Sequence, residues 1–164
     1  MLKFVFWGLL ICLSGCGFKP LYQNTQHPVA AALHRVKIAS IENREGQILH
    51  THLSQMFGSN RTNAPQEYLL TIKVQYDKRP LAISKSAATV EESINLKLTY
   101  KLTRIETGEE ILSTQESFSL DSTVSSQSPY ANWVGERNAQ ERLLFEAAET
   151  IRTAVTAALT ESEH

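Results

Sequence analysis

In Leu70-Thr71-Ile72-Lys73-Val74-Gln75-Tyr76-Asp77 apolar and polar side chains alternate without a break, and Ile94-Asn95-Leu96-Lys97-Leu98-Thr99-Tyr100-Lys101-Leu102-Thr103 repeats the pattern. Successive side chains on a strand point to opposite faces, so each segment reads as a strand with one greasy and one wet face. Thr107-Gly108 then supplies turn residues for a hairpin, and Ile111 to Leu120 returns as a third long strand with Leu112, Phe118 and Leu120 as core positions. Thr114 and Glu116 interrupt that face. A loop around Pro80 is expected between the first two of these strands, because proline cannot donate to a ladder.

Upstream, Val36 to Ile41 is a β-rich run and a first short strand. Asn43 and Glu45 precede Ile48, Leu49, His52, Leu53, Met56 and Phe57, apolar at helical spacing apart from the histidine, and Gly58 marks the stop before a polar loop, Ser59 to Gln66. Downstream, Ser122 to Ser128 is serine-rich and reads as flexible. A long helix is expected from about Glu136, where Leu144, Ala148, Ile151, Val155 and Leu159 form one stripe and Arg137/Glu141 and Arg142/Glu146 pair four residues apart. The order β-α-β-β-β-α, with one-sided helices and strands, predicts an α+β two-layer sandwich: two helices on one face of a mainly antiparallel sheet.

The 164 residues allow a single domain, placed at 35–160, behind a tether at 16–34 and a leader at 1–15. Lys3 and the apolar run Phe4 to Leu13 make an export signal, since the run is too short for a bilayer that needs about 20 residues. Leu13-Ser14-Gly15-Cys16 resembles the bacterial lipobox, which implies cleavage ahead of Cys16 and lipidation of its thiol. Several acyl chains on that cysteine would give a durable anchor where one is marginal. Gly17, rather than Asp, follows the cysteine, and by the sorting rule for such proteins this favours the outer membrane. Cys12 would be lost with the leader.

Sixteen Lys+Arg against 17 Asp+Glu argue against general nucleic-acid binding. His50 and His52 lie two apart on a helix and cannot share a metal, and His52 reads as a half-buried packing residue. The chain lacks the G-x-S-x-G, H-E-x-x-H, P-loop and G-x-G-x-x-G motifs, so no catalytic residue, metal site or cofactor is assigned. One feature suits binding. Lys73, Lys97 and Lys101 share the wet face of the two best strands, and Lys78, Arg79 and Lys85 follow in the expected loop. Together they could receive the phosphates or carboxylates of an anionic ligand, or form a solvated face that deters edge pairing.

Cys16-Gly17-Phe18-Lys19-Pro20-Leu21-Tyr22 resembles the start of the mature LptE family of lipopolysaccharide-assembly lipoproteins in its alphaproteobacterial form. Ser128 to Ala131 and Glu136-Arg137-Asn138-Ala139-Gln140-Glu141-Arg142 extend the resemblance. It implies a non-enzymatic plug in the lumen of an LptD-type outer-membrane β-barrel, held to the outer membrane by its lipid, assisting barrel assembly and binding lipopolysaccharide. The domain would then lie on the periplasmic side or within the lumen. The same anchor and sandwich, taken without the resemblance, would also serve a pilotin-like or envelope-scaffold lipoprotein.

Overall fold

The computed structural model describes residues 32–58, 65–83, 89–125 and 128–162, with 81–83, 89, 90 and 122–125 as backbone only. The leader, Cys16, the tether up to residue 31, Lys85 and residues 59–64 of the polar loop lie outside the described residues. The elements are β1 (Val36–Ile38), α1 (Asn43–Phe57), β2 (Tyr68–Ile83), β3 (Thr89–Arg104), β4 (Glu110–Ser125) and α2 (Pro129–Ser162). This is the expected α+β order, preceded by a helical turn at residues 32–34 that buries Ala32 and Leu33 in the core.

The sheet runs β1-β2-β3-β4. β1 pairs parallel with β2, which requires a crossover, and α1 supplies it. β2, β3 and β4 form an antiparallel meander. The three long strands have 16 residues each, about 53 Å when extended, and the 34-residue α2 is about 51 Å long, so one helix runs the length of the meander.

Strand alternation builds the core. Ile94, Leu96, Leu98, Tyr100 and Leu102 of β3 are each at most 1% exposed, and Tyr68, Leu70 and Ile72 of β2 are buried beside them. The α2 stripe read from the sequence (Leu144, Ala148, Ile151, Val155, Leu159) is buried throughout and is widened by Leu143 and Ala147. α1 buries Leu49, Leu53 and Phe57. Its first turn approaches Ile41 so closely that a Cβ on Gly46 would collide with that side chain. Its C-cap, Gly58, adopts φ 63°, and a Cβ there would also strike the His34 ring. Gln140 Nε2 donates to Glu45 Oε1 at 2.7 Å and ties the two helices together.

Four local expectations are corrected. β2 continues as a strand through Pro80, where a loop was expected, with only a register irregularity between Pro80 and Ala82. β1 pairs with β2 only as far as Leu70, so past that point one side of β2 is open and a missing N–H can face outward at no cost to the ladder. β4 extends to Ser125 through serines that composition had marked as flexible. α2 begins at Pro129, seven residues before the expected start: Ser128 stands at its N-terminal boundary, its carbonyl accepting from the Asn132 N–H at 3.1 Å, and proline at the first helical position costs no helical hydrogen bond. Arg137 pairs with Glu141 as expected, whereas Arg142 makes no ion pair with Glu146 and Arg152–Glu149 forms further along.

At the hairpin, Gly108 has φ 69° and its N–H donates to the Arg104 carbonyl at 2.9 Å, which accounts for a glycine at that point of the turn.

Candidate functional site

On the side of the sheet away from α1 and α2, the outward positions from Thr71 to Arg79 of β2 and their partners on β3 and β4 are all polar, and Leu69, at the hairpin end of β2, is the apolar exception among the described residues. Register sets the rows: Thr71, Lys101 and Ser113; then Lys73, Thr99 and Gln115; then Gln75, Lys97 and Ser117; then Asp77, Asn95 and Ser119; then Arg79, Ser93 and Asp121. Four of the cations singled out from the sequence, Lys73, Arg79, Lys97 and Lys101, therefore share this face. Lys78 does not. Its pairing with Ile94, an inward position, turns it to the helix side, where it forms an ion pair with Glu136 of α2. As a loop residue Lys78 was grouped with these cations, but a continuous strand obliges neighbours to alternate and parts it from them.

The four cations differ in what already holds them. Arg79 Nε lies 2.6 Å from Asp77 Oδ2 and Lys101 Nζ lies 2.7 Å from Glu110 Oε2. The hydrogen bond from Lys101, with its charge and a further hydrogen bond from Ser113, keeps the Glu110 carboxyl below its ordinary pKa. Among the described residues Lys73 and Lys97 have no ion-pair partner. They lie one row apart on adjacent strands, so their charges are free for a ligand. Lys97 and Arg79 line a shallow cavity of about 360 Å³ with Gln75, Asn95, Ser117 and Ser119. Lys73 lines a separate hollow of about 370 Å³ where β2 runs past the start of α1. The face thus offers hydroxyl and amide groups with two dispersed free cations, suited to broad polar contact more than to one chelated anion.

On the helix side, a second polar cluster escaped the sequence reading. Tyr76, Glu136, Gln140, Glu45, Arg44 and Arg137 line a cavity of about 180 Å³. The Tyr76 hydroxyl is buried with no hydrogen-bond partner, and burial, reinforced by Glu136, Glu45 and Glu92, pushes its pKa up to about 12. Beside it Trp133 is 55% exposed, stacks on Tyr130 at 6.3 Å and carries the Arg137 guanidinium 5.6 Å from its ring. The available signal was an aromatic pair outside the apolar stripe, hidden because the helix was expected to start after it. His52 is half-buried and meets Phe145 edge-on at 5.7 Å, a packing role as expected.

Among the described residues no cluster of three His, Cys, Asp or Glu side chains is placed to hold a metal ion. Nor is any described helix long and apolar enough to cross a membrane.

The model of the LptE family, described as lipopolysaccharide-assembly, matches residues 33–155, from the helical turn before β1 to the last turns of α2. No curated protein sequence matches the chain. Among solved structures the chain is similar to a protein from Caulobacter crescentus classed as a candidate lipoprotein, with a TM-score of 0.62 and 23% identity over 80% of this chain and 96% of that one. A minor lipoprotein from Acinetobacter baumannii follows at 0.53 and 14% identity, covering 76% and 94%. The rare lipoprotein B from Shewanella oneidensis gives 0.51 and 11% identity, covering 79% and 98%. At these identities the likeness is one of fold.

Proposed function

The chain belongs to the LptE family of lipopolysaccharide-assembly proteins, and we propose that it acts as the outer-membrane lipoprotein of that process: a non-enzymatic plug for an LptD-type β-barrel that assists barrel assembly and the delivery of lipopolysaccharide to the cell surface. The anchor is acyl chains on Cys16. The lipobox Leu13-Ser14-Gly15-Cys16 motivates it, and several chains together hold a soluble domain at a bilayer where one would not.

The observation that carries the reading is the outer face of the meander, polar in every row from Thr71 to Arg79. A barrel lumen is polar, so a body seated inside one needs hydrogen-bonding groups facing the wall and its apolar groups turned inward. Here Ser, Thr, Asn, Gln and Lys cover the outside while β3 buries its apolar side completely beneath the helices. Lys73 and Lys97, with Arg79 and Lys101 held nearby by carboxylates, are the proposed contacts for the anionic groups of lipopolysaccharide. Lys78 is removed from that set, since Glu136 already engages it on the opposite side.

Depletion tests the role. The proposal predicts lipopolysaccharide retained short of the surface together with misassembled barrel. Normal surface lipopolysaccharide after complete depletion would refute it.

A further inference from the structure

The two edges of the sheet are built differently. On one side the edge is divided between β1, only three residues long, and the open part of β2, which carries Lys73, Arg79 and Pro80 and a register irregularity after the proline. Charges, proline and irregularity of this kind discourage a stray strand from pairing. On the other side β4 presents 16 residues, Glu110 to Ser125, with no lysine, arginine or proline, and its only register shift lies at the hairpin end, opposite Leu102/Thr103. Among the described residues no main-chain group outside β3 hydrogen-bonds along this strand beyond the hairpin.

We infer that the free edge of β4 is a docking site for an extended segment of a partner protein, which adds to the sheet as a fifth strand and carries basic side chains toward α2. Unpaired N–H and C=O groups spaced along an extended backbone are complementary to one kind of occupant, another extended backbone. Side chains on the added strand's inner face would enter a cavity of about 610 Å³ between β4 and α2, where Leu120 and Leu143 meet Phe145, Glu141, Arg142 and Glu146. Phe145 is 50% exposed and offers apolar surface at the rim.

Charge selects the occupant. Glu116, on the inner face of β4, and Glu146 of α2, which lines the cavity, have no ion-pair partner among the described residues, while Arg142 is the one unpaired base lining the cavity. Lysine or arginine interspersed with small apolar residues on the added strand's inner face would satisfy these carboxylates. A second copy of the chain would not, because β4 carries no lysine or arginine and so no self-paired register gives Glu116 a cationic neighbour on the facing strand.

The test uses the full chain and a blocked nine-residue peptide alternating threonine with valine and lysine, read by amide hydrogen exchange. The expected result is protection of β4 amides within residues 112–122, with β2 unchanged. N-methylating the peptide along one edge or the other should abolish that protection for one of the two sets. Glu116→Gln and Glu146→Gln should each weaken binding about two- to fivefold, the range of a single partly exposed charge pair, with unchanged circular dichroism. The inference is overturned if the peptide gives no protection at millimolar concentration, protects another strand, or binds equally well with glutamate in place of lysine. It is equally overturned if β4 becomes protected without peptide as protein concentration rises, which would assign the edge to self-association.

Discussion

β3 and β4 have the same length and lie side by side under the same long helix, yet they bury their inner faces to different degrees. From Ile94 to Leu102 the β3 face is sealed and carries a single polar atom, the Tyr100 hydroxyl, whereas the matching β4 positions Leu112, Thr114, Glu116, Phe118 and Leu120 are all half-buried. Position in the sheet explains the contrast. A central strand has neighbours on both sides and a helix above, while an edge strand keeps one flank open to water, where threonine and glutamate can be solvated. Stability should therefore be concentrated in β3, leaving β4 able to take another role.

The largest expected effect follows directly. Leu98→Ala should cost about 2–5 kcal/mol, the range for truncating a fully buried leucine. Phe118→Ala on β4, although the larger truncation, should cost only about 1–2 kcal/mol, since its side chain is already partly in water. Urea denaturation of the two variants gives the comparison, and equal losses would break it.

Alkaline titration extends the comparison to β2, the other neighbour of β3. Tyr76 is raised in the folded state from 10.0 to about 12, so the folded chain holds its phenolic proton where the unfolded chain releases it. That contribution to stability is complete below pH 10 and is lost as pH rises through about 12. Tyr76→Phe should flatten the alkaline fall in the urea midpoint. At neutral pH it should leave stability unchanged or slightly higher, because the hydroxyl removed has no partner.

A smaller effect tests the contact between the strands. Tyr100 on β3 is raised first by burial and then by the Glu116 carboxylate on β4. Glu116→Gln should lower the Tyr100 pKa without returning it to the ordinary value, as followed by tyrosinate absorbance. The smallest change is expected on the outer face, where Lys73→Gln with Lys97→Gln should alter stability by no more than about 0.5 kcal/mol. If those lysines receive lipopolysaccharide, the same pair should weaken its binding and reduce the salt dependence, measured by titration at two ionic strengths.

The contrast also explains what the sequence made legible. Central strands and helix stripes obey a single period, so Ile94 to Leu102 and Leu144 to Leu159 were readable from alternation and spacing alone. β4 broke its pattern at Thr114 and Glu116 because an edge tolerates polar groups on its inner face, a fact of sheet order that local sequence does not encode. Pro80 looked like a loop for a related reason: its missing donor matters only when a neighbour is present, and β1 ends ten residues earlier in the β2 register. Of the candidate cations, Lys73, Lys97 and Lys101 could be placed by parity, Arg79 joined them once the strand was seen to continue, and Lys78 could not be placed without it. The Tyr130–Trp133 pair lay beyond the expected helix start, and Pro129 after Ser128 was the unused signal for it.

The proposed role makes this domain a lipid-held partner of an outer-membrane barrel. Purifying the affinity-tagged chain from detergent-solubilised outer membranes, with mass spectrometry of the N-terminal peptide and of co-eluting proteins, tests anchor and partner together. The expected result is an acylated N-terminal Cys16 and stoichiometric recovery of an LptD-type barrel. An intact leader with a free Cys16 thiol, or an acylated chain that elutes without the barrel, would contradict it.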